Sequence, residues 1–198
     1  MAALAVKDAV RTRPSITNID LKTYDDLLAM PDDGNRYELI EGELIVTRAP
    51  GITHQEVLGN LFFVLKSYAR ETHSGVVIST PGVIFDEYNS VIPDIVLLTN
   101  EQRERAGPHI HEAPELAVEI VSPGRENARR DRVVKLQVYS KFRVKEYWVA
   151  DPEARTLEVY RLSEGALALA ATLTRNDEIT SPVLPGFGCK VSEIFGGQ

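Results

Sequence analysis

The chain has 198 residues, 43% hydrophobic and 26% charged, an ordinary globular composition that excludes a disordered tail or a fibre and suits one domain. Its net charge of −7 argues against a protein that coats nucleic acid through global charge, while leaving room for a local cationic or metal-bearing groove. A single cysteine, Cys189, excludes an intrachain disulfide and a thiolate zinc site and points to a reducing, cytoplasmic setting.

Residues 1–17 read as a flexible leader without the layout of a secretion signal, and residues 18–198 as a single domain. No apolar run reaches the ~18 residues of a membrane span. Thr23 opens a short helix with a loose capping box to Asp26, and the turn residues Pro31 to Gly34 end it. The stretch RYELIEGELIVT alternates around Gly42 and predicts two strands joined by a two- or three-residue link. Over residues 53–72, Val57, Leu58, Leu61, Phe62 and Leu65 recur at helical spacing until Ser74-Gly75 stops them. Strands follow at 76–80, 82–85 and 89–98, the last interrupted by Pro93. Residues 99–114 are charged and turn-rich, and read as surface. Residues 116–121 form an apolar strand, 128–142 a helix, 145–151 a strand, and 157–162 with 166–173 a hairpin. The Pro- and Gly-bearing tail reads as a loop running into a short terminal helix. This mixture predicts an α/β (α+β) fold, a central mixed sheet flanked by helices.

Two acids stand where strands call for apolar residues. Asp94 sits at the mouth of Ile95–Leu98, and Glu119 in the middle of LAVEIV. Burying a carboxylate is costly unless it is paired or bound to a cation. By strand alternation Ala117, Glu119 and Val121 share one face, and Leu116, Val118 and Ile120 the other. Adjacent strands would bring the two carboxylates together, an oxygen-donor set suited to Mg²⁺ or Mn²⁺. On the following helix, Asp131, Lys135 and Tyr139 fall at i, i+4 and i+8 and form one stripe. A lysine aimed back at the carboxylates can orient a water or offset charge in a phosphoryl transition state. Structural readings stand beside these. Asp94 suits a turn hydrogen bond, Glu119 an ion pair with Arg129 or Arg132, Lys135 a solvated face, Tyr139 the core, and His54 a helix start. His109 and His111 lie in a charged loop and Trp148 reads as core.

Pro93-Asp94, Glu119 and the neighbouring lysine resemble the active site of the PD-(D/E)xK nuclease superfamily. Six phrases are similar to the Uma-type restriction endonuclease family of bacteria: Arg36–Glu43, His54 with its helix, Val91–Val96, Glu115–Pro123, Asp131–Tyr139 and Val144–Pro152. The resemblance implies a restriction-endonuclease-like fold and a Mg²⁺-dependent (or Mn²⁺-dependent) DNA endonuclease. Asp94, Glu119 and Lys135 would be catalytic, with Asp94, Glu119 and Glu38 on the metal. Val121 departs from the superfamily pattern, since it stands where the motif has its lysine; in this branch that lysine moves to the adjacent helix, at Lys135. Glu41 and Glu43 rival Glu38, and strand alternation sets them on the opposite face from it if Gly42 does not bend the strand first. His54, Asp131 and Tyr139 would support the site, while Arg125, Arg129, Arg130 and Arg132 would form a small basic groove for DNA. Cutting a duplex with one site per chain points to a homodimer. The other function the sequence allows is a non-catalytic nucleic-acid-binding or assembly module on the same fold.

Overall fold

Alternating apolar residues in the middle of the chain assemble a six-stranded sheet. The computed structural model describes residues 21–196, so the predicted leader at 1–17 lies outside the described residues. Helix α1 (Tyr24–Leu28) begins at the expected capping box: the Thr23 hydroxyl accepts from the Asp26 N–H, and the Asp26 carboxylate accepts from the Thr23 N–H. Strands β1 (Arg36–Ile40) and β2 (Glu43–Thr47) pair antiparallel with Ile40 opposite Glu43. The link is therefore Glu41-Gly42, with φ of 49° and 77°. A two-residue hairpin link with both φ values positive suits the right-handed strand twist, and glycine adopts it without steric cost. Gly42 thus bends the chain before alternation reaches Glu43.

Helix α2 (Ile52–Thr72) buries Val57, Leu61, Leu65 and Ala69 along one face, as their four-residue spacing predicts. Then come β3 (Val76–Ser79), β4 (Val83–Asp86), β5 (Asn89–Val91) and β6 (Ile95–Leu98). The charged stretch expected as surface loop contains α3 (Asn100–Arg105), started by a capping box between Thr99 and Gln102. Strand β7 (Leu116–Ile120) leads into a helical segment that starts earlier than predicted. It comprises α4 (Arg125–Arg129), a π-helical stretch (Arg130–Lys135) and α5 (Leu136–Lys141). Strands β8 (Glu146–Asp151), β9 (Thr156–Ser163) and β10 (Ala166–Leu173) complete the large sheet. The tail is more ordered than a loop: β11 (Glu178–Ser181) and β12 (Leu184–Lys190) form a hairpin before α6 (Val191–Ile194).

The large sheet runs β10-β9-β8-β7-β6-β3, with β7 and β8 parallel and its other pairs antiparallel. A four-stranded sheet, β2-β1-β5-β4, stands beside it. Two apolar layers result. Leu116, Val118 and Ile120 pack with Trp148, α2 and the C-terminal elements. Ala117 and Val121 pack with Tyr139, Tyr147, Val149 and residues of the small sheet. The predicted split of β7 into two faces therefore holds, and Glu119 lies on the face that meets the π-helical segment.

Candidate active site

Register brings the two acids together. In the antiparallel pair of β6 and β7, Ile95 lies opposite Val118 and Val96 opposite Ala117. One step further along the same ladder sets Asp94 beside Glu119. The Asp94 carboxylate closes that end of the ladder: its Oδ2 accepts from the Ile120 N–H at 2.8 Å. His54, on the first turn of α2, reaches the same oxygen through Nε2 at 3.1 Å. Both residues are buried, and the Nδ1 of His54 has no hydrogen-bond partner among the described residues.

The lysine arrives from the helix. Asp131 and Lys135, four residues apart on the π-helical stretch, both face inward and are both buried. The Nζ of Lys135 lies 2.9 Å from Glu119 Oε1 and 2.9 Å from Glu38 Oε1. Tyr139, one turn on, donates its hydroxyl to the same Glu119 oxygen at 2.7 Å. Glu38 comes from β1, and its Oε1 also accepts from the Ile92 N–H at 2.8 Å. Tyr147 donates to the Asp131 carbonyl oxygen at 2.9 Å, tying the π-helical stretch to β8.

Among the acids of the first hairpin, Glu38 enters this cluster. Glu41 sits in the turn and pairs with Lys141 at the surface, and Glu43 is exposed. The turn at Glu41-Gly42 breaks the strand alternation between Glu38 and Glu43. The pairing considered for Glu119 with Arg129 or Arg132 is replaced by Lys135. Arg132 instead joins Glu158 through Nε and Asp151 through Nη2, each at 2.8 Å, on the outer side of the segment. Arg130 turns inward, with Nε 3.6 Å from Asp131 Oδ1. Arg125 borders a neighbouring cavity and Arg129 is exposed. Two cations that sequence reasoning missed, Arg36 and Arg48, border the carboxylates. The Arg36 Nη1 lies 3.9 Å from Asp94 Oδ1. Arg36 opens the same strand as Glu38, two residues before it, and that period-two spacing was the available signal.

The electrostatics follow from burial. Glu38, Asp94, Glu119 and Asp131 are each at most 4% exposed, and so is Lys135. Burial pushes the Glu119 carboxyl well above its usual range; Lys135 pulls it back, but Asp94, Asp131 and Glu38 add to the rise. Asp131 is raised for the same leading reason, against the pull of Lys135 and Arg130. Burial would lower Lys135, but Glu119, Glu38 and Asp131 outweigh it and hold the ammonium charged far beyond its ordinary range. Four buried acids face one buried ammonium, Lys135, while the partly buried Arg36 and Arg130 approach Asp94 and Asp131 from the edge. Each buried ion costs several kcal/mol of desolvation, so stability alone gives no reason to gather them.

A polar cavity of about 50 Å³ opens between these side chains. Among the described residues no group of three His, Cys, Asp or Glu side chains is arranged to hold a metal. The two strand carboxylates are hard oxygen donors, and Asp94 Oδ1 and Glu119 Oε2 accept no hydrogen bond from the described residues. That donor set fits a hard divalent ion such as Mg²⁺, which takes one or two carboxylates and fills its shell with water and phosphate oxygens.

A mixed sheet flanked by helices, with one acid just before a strand, another within the next and a lysine beside them, is the architecture of the restriction-endonuclease-like class. The fold is similar to the crystal structure of a putative nuclease belonging to DUF820 from Anabaena variabilis. The TM-score is 0.73 at 19% identity, covering 87% of this chain and 97% of that one. The chain belongs to the Uma2 family, described as "putative restriction endonuclease", whose model matches residues 24–192. No curated protein matches it.

Proposed function

We propose that this chain is a metal-dependent DNA endonuclease. The observation that carries the reading is the convergence of Asp94, Glu119 and Lys135 around one small polar cavity, with Lys135 2.9 Å from Glu119. Asp94 and Glu119 would hold the ion, with Glu38 behind Lys135. A divalent ion held there supplies Lewis acidity towards a phosphoryl oxygen and a water. The chain's own residues do the rest. Lys135 keeps its proton, so it acts as a fixed positive charge towards the developing phosphorane and not as a general base. Tyr139 and Lys135 together lock the Glu119 carboxylate, and the Ile120 N–H and His54 lock that of Asp94. Arg36, Arg48 and Arg130 line the approach and meet the flanking phosphates. Where both strands of a duplex are cut, a symmetric homodimer brings one site to each.

One observation favours the rival reading, a nucleic-acid-binding or assembly module without catalysis. The Lys135 ammonium already sits between Glu38 and Glu119, which is how a metal-free ion cluster would neutralise itself. Calorimetry with Mn²⁺ and a cleavage assay separate the two. The expected result is Mn²⁺ binding and Mg²⁺-dependent cleavage by the parent. Both should be lost in Asp94→Ala and in Glu119→Ala, with the circular dichroism of a folded chain retained. Parent protein that binds no Mn²⁺, or variants that cut as well as the parent, would overturn the nuclease reading.

A further inference from the structure

A second cavity, of about 680 Å³, adjoins the carboxylate cavity, and His54 and Ser122 border both. Its volume falls in the roughly 300–1,000 Å³ range of sites that enclose a small organic group. The walls are mostly apolar: Ile52 from α2, Val121 and Pro123 from the link after β7, Ala128 from α4 and Pro152 after β8. Ile52 is 81% exposed, the most exposed large apolar side chain among the described residues, and it stands at the mouth.

Polar groups converge from one side. The N-cap of the 21-residue helix α2 is Gly51, which gives no side-chain cap, and the first turn has no acidic residue. Its positive dipole end borders the cavity, whose lining also carries two carboxylates, Asp151, held by Arg132, and Glu153. His54, only 6% exposed, lines the cavity with one ring nitrogen committed to Asp94 and the other unpartnered among the described residues. Arg125 adds an exposed cation at the rim. Apolar walls suit the faces of a nucleobase, and amides with an arginine suit a phosphate.

We propose that this cavity receives one unpaired nucleotide of the DNA substrate, next to the phosphate held at Asp94 and Glu119. The inference rests on the nuclease reading and adds to it the class of substrate. A base stacked and paired in a duplex presents only its edges in the grooves and enters a concave apolar chamber only once it is extruded from its pair, at the cost of its stacking and pairing; an unpaired base enters without that cost. The favoured substrate is thus a single strand, or a strand freed at a gap or branch.

The test is binding without cleavage, in the absence of divalent metal. Fluorescence anisotropy would follow a short labelled single-stranded oligodeoxynucleotide and the same strand annealed into a duplex. The variant is Ile52→Asp, whose carboxylate favours the helix start but repels phosphate there. The parent is expected to bind the single strand more tightly than the duplex. Ile52→Asp should weaken single-strand binding by about tenfold or more, the loss of roughly one 1.4 kcal/mol contact. Duplex binding should change little, and the melting temperature should not fall. Equal affinity of the parent for both forms, or an unchanged single-strand affinity in Ile52→Asp, would overturn the proposal. If either result comes with Mg²⁺-dependent cleavage of duplex by the parent, only the cavity assignment falls. If no oligonucleotide is bound and none is cut, the nuclease reading falls with it.

Discussion

At the scale of single residues, Glu119 decides most. It lies mid-strand, 3% exposed, with one oxygen accepting from an ammonium and a phenol. Its carboxyl, like that of Asp131, is raised by burial, so the folded chain holds its proton more tightly than the unfolded chain does. Stability from such groups is complete below the ordinary carboxylate pKa and is lost as pH rises through the folded value. Surface acids such as Asp26, Asp33 and Asp177 behave oppositely. Hydrogen bonds lower them, so their contribution fades only as pH falls below about 4. Glu119→Gln is therefore expected to flatten the decline of melting temperature as pH rises above the ordinary carboxylate range, read by scanning calorimetry. An unchanged slope would mean that Glu119 is fully ionised beside Lys135. Asp94 and Glu119 were legible in the sequence because a charge inside an apolar strand contradicts its neighbours. Arg36 was not, because an arginine opening a strand contradicts nothing. Arg132 and Arg130 looked alike in the sequence, and only the helical phase separates the inward one from the outward one.

Among the elements, the π-helical stretch sets the geometry. It carries Asp131 and Lys135 on one wide turn, and the α-helix after it carries Tyr139 to the same carboxylate. Removing one residue from the stretch restores ordinary pitch and rotates one half against the other by about 100°. Deletion of Val133, which is 42% exposed, is expected to keep the helical circular dichroism but swing Asp131 or Lys135 out of the cluster. Cleavage and Mn²⁺ affinity should then drop together; a deletion variant that cuts normally would show that the wide turn is dispensable. Sequence spacing predicted the stripe of 131, 135 and 139, since i, i+4 and i+8 align closely enough on an α-helix. It did not predict the π geometry, in which the Asp131 carbonyl accepts from Tyr147 on β8. The elements that sequence reading missed share one cause. α3 is short and charged, and β11 and β12 contain Pro, Gly and polar residues, so their hydrophobic period is weak. The Thr99–Gln102 capping box was nevertheless present as a signal for α3.

Across the whole molecule, the charge of −7 must be reconciled with a polyanionic substrate. Arg36, Arg48 and Arg130 border the smaller cavity and Arg125 the larger. Four phosphate contacts predict a slope of log Kobs against log salt of about −3.6 on duplex and about −2.8 on a single strand. Binding measured at several salt concentrations should give such shallow slopes; one near −8 would require a basic surface that these four arginines do not supply. The overall architecture was legible in the order of strands and helices, because alternation and helical period are local properties. The larger cavity was not, because its walls come from α2, the turn after β7 and the end of β8, segments distant in sequence whose meeting depends on the assembled sheet.

Arg132 grips Asp151 at the end of β8 and Glu158 on β9, while three residues further on Lys135 points the other way into the acids. Asp151 also forms part of the wall of the larger cavity. One guanidinium thus pins the lysine-bearing helix to the margin of the neighbouring chamber. Should the chamber seat a nucleotide and the acids cut beside it, this clasp would act as a ruler, setting the reach between the two.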